Sequence, residues 1–158
     1  MARKDPWAPV WCRYMRGSDL DPVLDIEEAS YSKGMWGKAD FDDYLVQETA
    51  TGVVAEGIKS KRVLGFMLFT TGVSHYEIVD LAVDKSVRGC GVGYQLFHTL
   101  VSKLTANKRP IIMASMLINN KTATKFFERQ GFKEIEKRRD KGLGRFKYEF
   151  LQNYKGRK

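Results

Sequence analysis

The chain holds little cysteine. Cys12 and Cys90 lie far apart and lack metal-type spacing, so neither a disulfide framework nor a zinc module is expected. Histidine is as sparse: His75 and His98 form no metal constellation, and no metal is predicted. No apolar run approaches the roughly 20 residues of a membrane span, which argues against a membrane partner. The opening MARKDPWAPVWC has charge but no apolar segment of the secretory kind, so a cytoplasmic location is the expectation. Repeats, low-complexity tracts and long linkers are missing too. One domain over residues 1–158 is expected, with 1–9 and 153–158 as loose ends. Acidic residues are the minority, 19 against 27 basic, for a formal charge of +8. That balance favours an acidic partner such as a nucleotide cofactor or an acidic protein. No nucleic-acid motif accompanies it, so nucleic acid is not predicted.

What is present is periodicity. Val10 to Met15 alternates as a strand. Ser18 or Asp19 can cap a first helix, on which Leu20, Val23, Leu24 and Glu27 share a face. Asp40 opens a second helix, Phe41 to Gln47. Strands are predicted at Val53 to Ile58, Val63 to Thr70 and Tyr76 to Val83. A helix follows with apolar residues at Val92, Leu96, Phe97, Leu100, Val101 and Leu104, and Pro110 bars its continuation. Ile111 to Ile118 reads as a strand and Lys121 to Arg129 as a helix ended by Gly131. Phe132 to Lys137 and Phe146 to Leu151 read as the last strands, joined by Arg138 to Arg145. The order β α α β β β α β α β β mixes strands and helices and implies some parallel pairing.

The chain is organised around the junction of the strand ending at Val83 and the helix starting near Val92. Between them stands Arg88-Gly89-Cys90-Gly91-Val92-Gly93. A glycine-rich turn into a helix presents main-chain N–H groups and a positive dipole end, which suits a phosphate or pyrophosphate. The spacing is not the Gly-x-Gly-x-x-Gly of a dinucleotide loop.

The Arg88-x-x-Gly91-x-Gly93 loop, the later segment Asn120 to Phe132 (NKTATKFFERQGF) and the order of elements together resemble the GNAT superfamily of acyl-CoA-dependent N-acetyltransferases. The opening RYMRGSDLDPVLDIEEASYS is similar to that of the ribosomal-protein alanine N-acetyltransferase subgroup. The resemblance implies an α/β (α+β) domain. Its central mixed, mostly antiparallel sheet would have about six to seven strands, flanked by about four helices. It also implies acetyl-CoA as cosubstrate. The pyrophosphate would lie on Val87, Arg88, Gly89, Gly91, Val92 and Gly93, and the pantetheine arm along Leu81, Ala82 and Val83, with Asn120 and Phe127 beside it.

By the same resemblance Glu77 is the candidate general base and Asp80 a second one, and a regular strand points the two to opposite faces. The main-chain N–H of Leu81 or Ala82 would serve the oxyanion. Two positions depart from the family pattern. Phe127 stands where many members carry an acidic tyrosine, and Ser115 stands where the ribosomal subgroup often has glutamate. Tyr31, Met35, Trp36 and Phe41 are candidates to line the acceptor side. The expected reaction is acetyl transfer to a primary amine of a protein, an N-terminus or a lysine, by a monomer or homodimer. The alternatives are a small-molecule amine acceptor and a non-catalytic acyl-CoA-binding sensor.

Overall fold

The computed structural model describes residues 8–31 and 36–150. Met35 and the chain beyond Phe150 therefore lie outside the described residues. The described elements are β1 (Val10–Tyr14), α1 (Leu20–Ser30), α2 (Lys38–Leu45), β2 (Ala50–Gly57), β3 (Val63–Thr71), β4 (His75–Val83), α3 (Val92–Val101), β5 (Ile111–Leu117), α4 (Lys121–Gln130), β6 (Lys133–Arg138) and β7 (Leu143–Glu149). The seven strands form one mostly antiparallel sheet in the order β1-β2-β3-β4-β5-β7-β6. β4 and β5 run parallel, as a crossover through α3 demands, while β1–β2, β5–β7 and β6–β7 are antiparallel. This is the fold class the sequence led us to expect.

Two compact units divide the chain. The described residues up to Phe69, with Asp80–Leu100, form the first. Its centre is β3, buried without a break from Val63 to Phe69, as befits an inner strand covered on both faces. Gly65 allows a close approach: a Cβ there would lie 3.0 Å from Val92 Cγ1 and 3.1 Å from the Ala82 carbonyl. The α3 side chains Val92 and Leu96 therefore rest directly on the strand. α1 buries Val23, Ile26 and Glu27, and a carboxylate on that face is the first departure from an ordinary core. α2 begins at Lys38, before Asp40, because the Asp40 carboxylate accepts from the Gly37 N–H and closes the first turn from within. Phe41 is fully buried and meets Phe66 edge-on at 5.7 Å. It is core rather than acceptor lining.

Thr70–Val79 and the described residues from Val101 onward form the second unit. The Asn120 side chain accepts from the Ala123 N–H at 3.1 Å and caps α4, and Gly131, at φ 108°, ends it. Phe127 and Phe132 pack edge-on at 4.9 Å. β7 starts at Leu143 rather than Phe146, because Gly142 takes φ 65° and the turn is short. Gly144, Phe146 and Tyr148 then face the core, and Arg145 becomes a strand residue on the other face.

Candidate active site

Along β4 the buried side chains are Tyr76, Ile78 and Ala82, so Asp80 belongs to the inner face and Glu77 to the outer. The parallel ladder with β5 pairs His75–Ile78 with Ile111–Ala114, and β4 runs on to Val83.

In the second unit, Glu77 is held by a guanidinium. Arg145 Nη1 donates to Glu77 Oε1 at 2.6 Å and Nη2 donates to Oε2 at 3.0 Å. The same Nη1 reaches Ser115 Oγ at 2.8 Å, and His75 Nε2 lies 3.7 Å from Oε2. The β5–β7 register places Arg145 opposite Ser115. The hydrogen bond to Glu77 raises the Arg145 pKa above its ordinary value, against the cost of burial. Such a fork holds the carboxylate in a fixed orientation at the outer face of the strand. Asn120 caps α4 and Phe127 is buried at its C-terminal end, with no hydroxyl to give.

The first unit holds Asp80 in different company. Glu27 on α1 is 1% exposed; its Oε2 accepts from the Trp36 N–H at 3.4 Å, and its Oε1 has no partner. Asp80 Oδ2 is likewise buried without a partner. Burial pushes the Asp80 carboxyl up to about 9, and Glu27 adds to the effect by hydrogen bond and by charge; the Leu81 N–H and the Tyr31 hydroxyl oppose it. Tyr31 Oη donates to the Leu81 carbonyl at 2.9 Å. Burial first, then Asp80 and Glu27, hold its phenol well above the ordinary range.

The glycine loop belongs to the same unit. Gly89 and Gly91 take φ of 76° and 77°, conformations that favour glycine. Cys90 N–H returns to the Val87 carbonyl, while the N–H groups of Arg88, Gly89, Gly91, Val92 and Gly93 meet no acceptor among the described residues. That donor set, at the N-terminus of α3, fits a pyrophosphate. The Arg88 side chain folds back to the Val83 carbonyl and Ser30 Oγ, both at 3.2 Å. Both cysteines are free. A cavity of about 730 Å³ on the Asp25 and Ile26 flank of α1 is lined by Arg13, Arg62, Val83 and Lys85, but not by Asp80 or the glycines. Among the described residues no group of three or more His, Cys, Asp or Glu is placed to hold a metal, and no helix is long and apolar enough to cross a membrane.

The family model described as Acetyltransferase (GNAT) family matches residues 20–132, which span the glycine loop and the Asn120 helix. The chain belongs to the GNAT family. A GNAT relative, an uncharacterized N-acetyltransferase of Methanocaldococcus jannaschii, is 26% identical over 132 residues, 77% of each chain. Two solved GNAT structures share the fold. The ribosomal-protein-S18-alanine N-acetyltransferase of Escherichia coli has a TM-score of 0.75 at 16% identity, covering 90% of this chain and 94% of that one. Ard1 of Thermoplasma volcanium has a TM-score of 0.76 at 19% identity, covering 89% and 97%.

Sequence reasoning missed two charged residues of this GNAT chain. Glu27 had a visible signal, since it shares a helix face with Val23 and Leu24. Arg145 had none, because its role depends on the register between β5 and β7.

Proposed function

We propose that the whole chain acts as one N-acetyltransferase domain, moving acetyl from acetyl-CoA to a primary amine on a protein, an N-terminus or a lysine. The observation that carries the cofactor assignment is the set of N–H groups of Arg88, Gly89, Gly91, Val92 and Gly93, at the start of α3, that meet no acceptor among the described residues. Val87, Arg88, Gly89, Gly91, Val92 and Gly93 would hold the pyrophosphate. Leu81, Ala82 and Val83 would offer main-chain groups to the peptide-like arm, which suits a strand that continues past its ladder with β5. Asn120 and Phe127 would flank that arm. Acetyl-CoA supplies the activated acetyl group as a thioester.

The carboxylates at Glu77 and Asp80 would serve as proton carriers. Glu77 is the proposed base, acting through water, because Arg145 fixes its carboxylate by two hydrogen bonds while its side chain remains 28% exposed. The protein acceptor is supported by the net charge of +8, which suits an acidic polypeptide surface, and by two fold relatives named for ribosomal-protein alanine acetylation and as Ard1.

The test is free-thiol release from acetyl-CoA with peptides of varied N-termini, internal lysines and small amines. Peptide-dependent release supports the reading. Release with small amines alone overturns the protein acceptor, and binding of acetyl-CoA without release under any acceptor points to a sensor. Glu77→Gln should lower kcat about 100-fold; an unchanged rate would remove Glu77 from the base role.

A further inference from the structure

Two buried carboxyl oxygens of the first unit have no hydrogen-bond partner, Glu27 Oε1 and Asp80 Oδ2. An unpaired buried carboxylate is costly, and two side by side cannot both stay charged. Among the described residues the groups facing them are few. Glu27 projects from α1, Tyr31 follows that helix, and Asp80 comes from β4. Arg88 acts on the Tyr31 hydroxyl from the loop, but its own guanidinium is bonded to Ser30 and Val83. Among the described residues no guanidinium or ammonium takes up the orphaned oxygens, and one proton held between the two carboxyls satisfies both.

From this arrangement we infer that Tyr31 is a proton donor for the departing thiolate, resupplied by one proton that Glu27 and Asp80 share. The inference rests on the acetyltransferase reading and adds the acid that Phe127 does not provide. Its geometric basis is the position of the Tyr31 hydroxyl. It donates to the Leu81 carbonyl at 2.9 Å, on the stretch of β4 assigned to the cofactor arm, and the Asp80 carboxyl behind it lies near enough to act on it by charge. In the step, the C–S bond breaks, the sulfur takes the proton of Tyr31 Oη, and Tyr31 Oη takes the proton of the carboxyl pair. The phenol is never left charged. The pair regains its proton from solvent, and the proton shed by the acceptor nitrogen leaves through the base, so atoms and charges balance. A thiol has a pKa near 8.5 and a raised carboxyl about 9, so the ends of this relay are closely matched. A tyrosine alone, with its pKa raised, would be a poor acid at such a site.

In this scheme Tyr31 touches the reacting atoms and is catalytic, while Asp80 and Glu27 act through it and are positioning residues. The test compares wild type with Tyr31→Phe, Asp80→Asn and Glu27→Gln. Acetyl-CoA affinity is measured by titration calorimetry, thiol release is followed across pH, and the carboxyl proton is detected by infrared difference spectroscopy. The expectation is a protonated-carboxyl band at neutral pH in the wild type that is absent from Asp80→Asn. Tyr31→Phe should keep acetyl-CoA affinity and lose about 100-fold in kcat. Asp80→Asn and Glu27→Gln should shift or abolish the alkaline limb of the kcat profile. An unchanged kcat in Tyr31→Phe, or no band in the wild type, overturns the relay and leaves the acetyltransferase reading standing. A wild type that binds acetyl-CoA but releases no thiol with any amine overturns both.

Discussion

The first unit buries two clusters of charge, and they are built on opposite principles. At β1, Arg13 Nη1 and Nη2 bond Asp19 at 2.7 and 2.9 Å, and Nη2 also reaches Glu56 at 3.1 Å. The carboxylates there are matched by a cation, and the Arg13 hydrogen bonds hold Asp19 below the ordinary carboxylate range. At β4, Asp80 and Glu27 have no such cation among the described residues, and the Asp80 carboxyl goes the other way, up to about 9. Burial alone does not decide the direction; the identity of the third partner does. The matched cluster ties β1 to the chain entering α1 and to β2. The unmatched one holds a proton beside the strand assigned to the cofactor, at a cost in stability that a purely structural core would not carry.

Breaking the matched cluster should have the largest effect. Arg13→Met removes the cation from the buried Asp19 carboxylate and the half-buried Glu56 one and should cost about 3–5 kcal/mol by urea unfolding. Glu56→Gln leaves the Arg13–Asp19 fork in place and should cost about 1–2 kcal/mol in the same measurement. The unmatched cluster should answer with the reverse sign. Asp80→Asn replaces a carboxyl that resists ionisation by a neutral isostere, and should stabilise the protein by on the order of 1 kcal/mol at mildly alkaline pH. A loss of stability there would make the two clusters alike and defeat the contrast.

The pH dependence sharpens the same comparison. Asp19 has a depressed pKa, so its contribution is present above the unfolded value of 3.8 and is lost as pH falls through the folded one. Asp80 has a raised pKa. Between 3.8 and about 9 the native state holds a proton that the unfolded chain has released, so stability declines as pH rises across that window and levels off above it. Urea midpoints measured from pH 4 to 10 should therefore fall in the wild type and flatten in Asp80→Asn, while Arg13→Met should retain the alkaline slope.

The second unit gives a milder version. Glu77 and Arg145 form a forked pair with side chains about one third exposed, so solvent screens it. Arg145→Ala should change stability by less than about 1 kcal/mol while lowering the kcat of thiol release, because the Glu77 carboxylate loses the fork that orients it. A large loss of stability would recast that pair as structural.

Local chemistry wrote much of this molecule into its sequence. Alternation marked β3 and β4, three-to-four spacing marked α3, and Asn120 and Gly131 bounded α4 through a side-chain cap and a left-handed residue. The glycine loop was legible because Gly89 and Gly91 take positive φ, which few other residues tolerate. Those are properties of neighbours in the chain. The start of β7 was not legible, since Gly142 and Gly144 look alike as letters while one turns and the other pairs in the sheet. Nor was the partner of any carboxylate. Whether Glu77 meets a guanidinium depends on register across β5 and β7, and whether Asp80 meets a cation or another acid depends on how α1 lies against β4. The sequence by itself determined the elements, the family and the conformation of the glycine loop, because each rests on short-range sterics and hydrogen bonding. Only the tertiary structure decided which carboxylate is paired and which shares a proton, because charge is set by what the fold brings within a few ångströms.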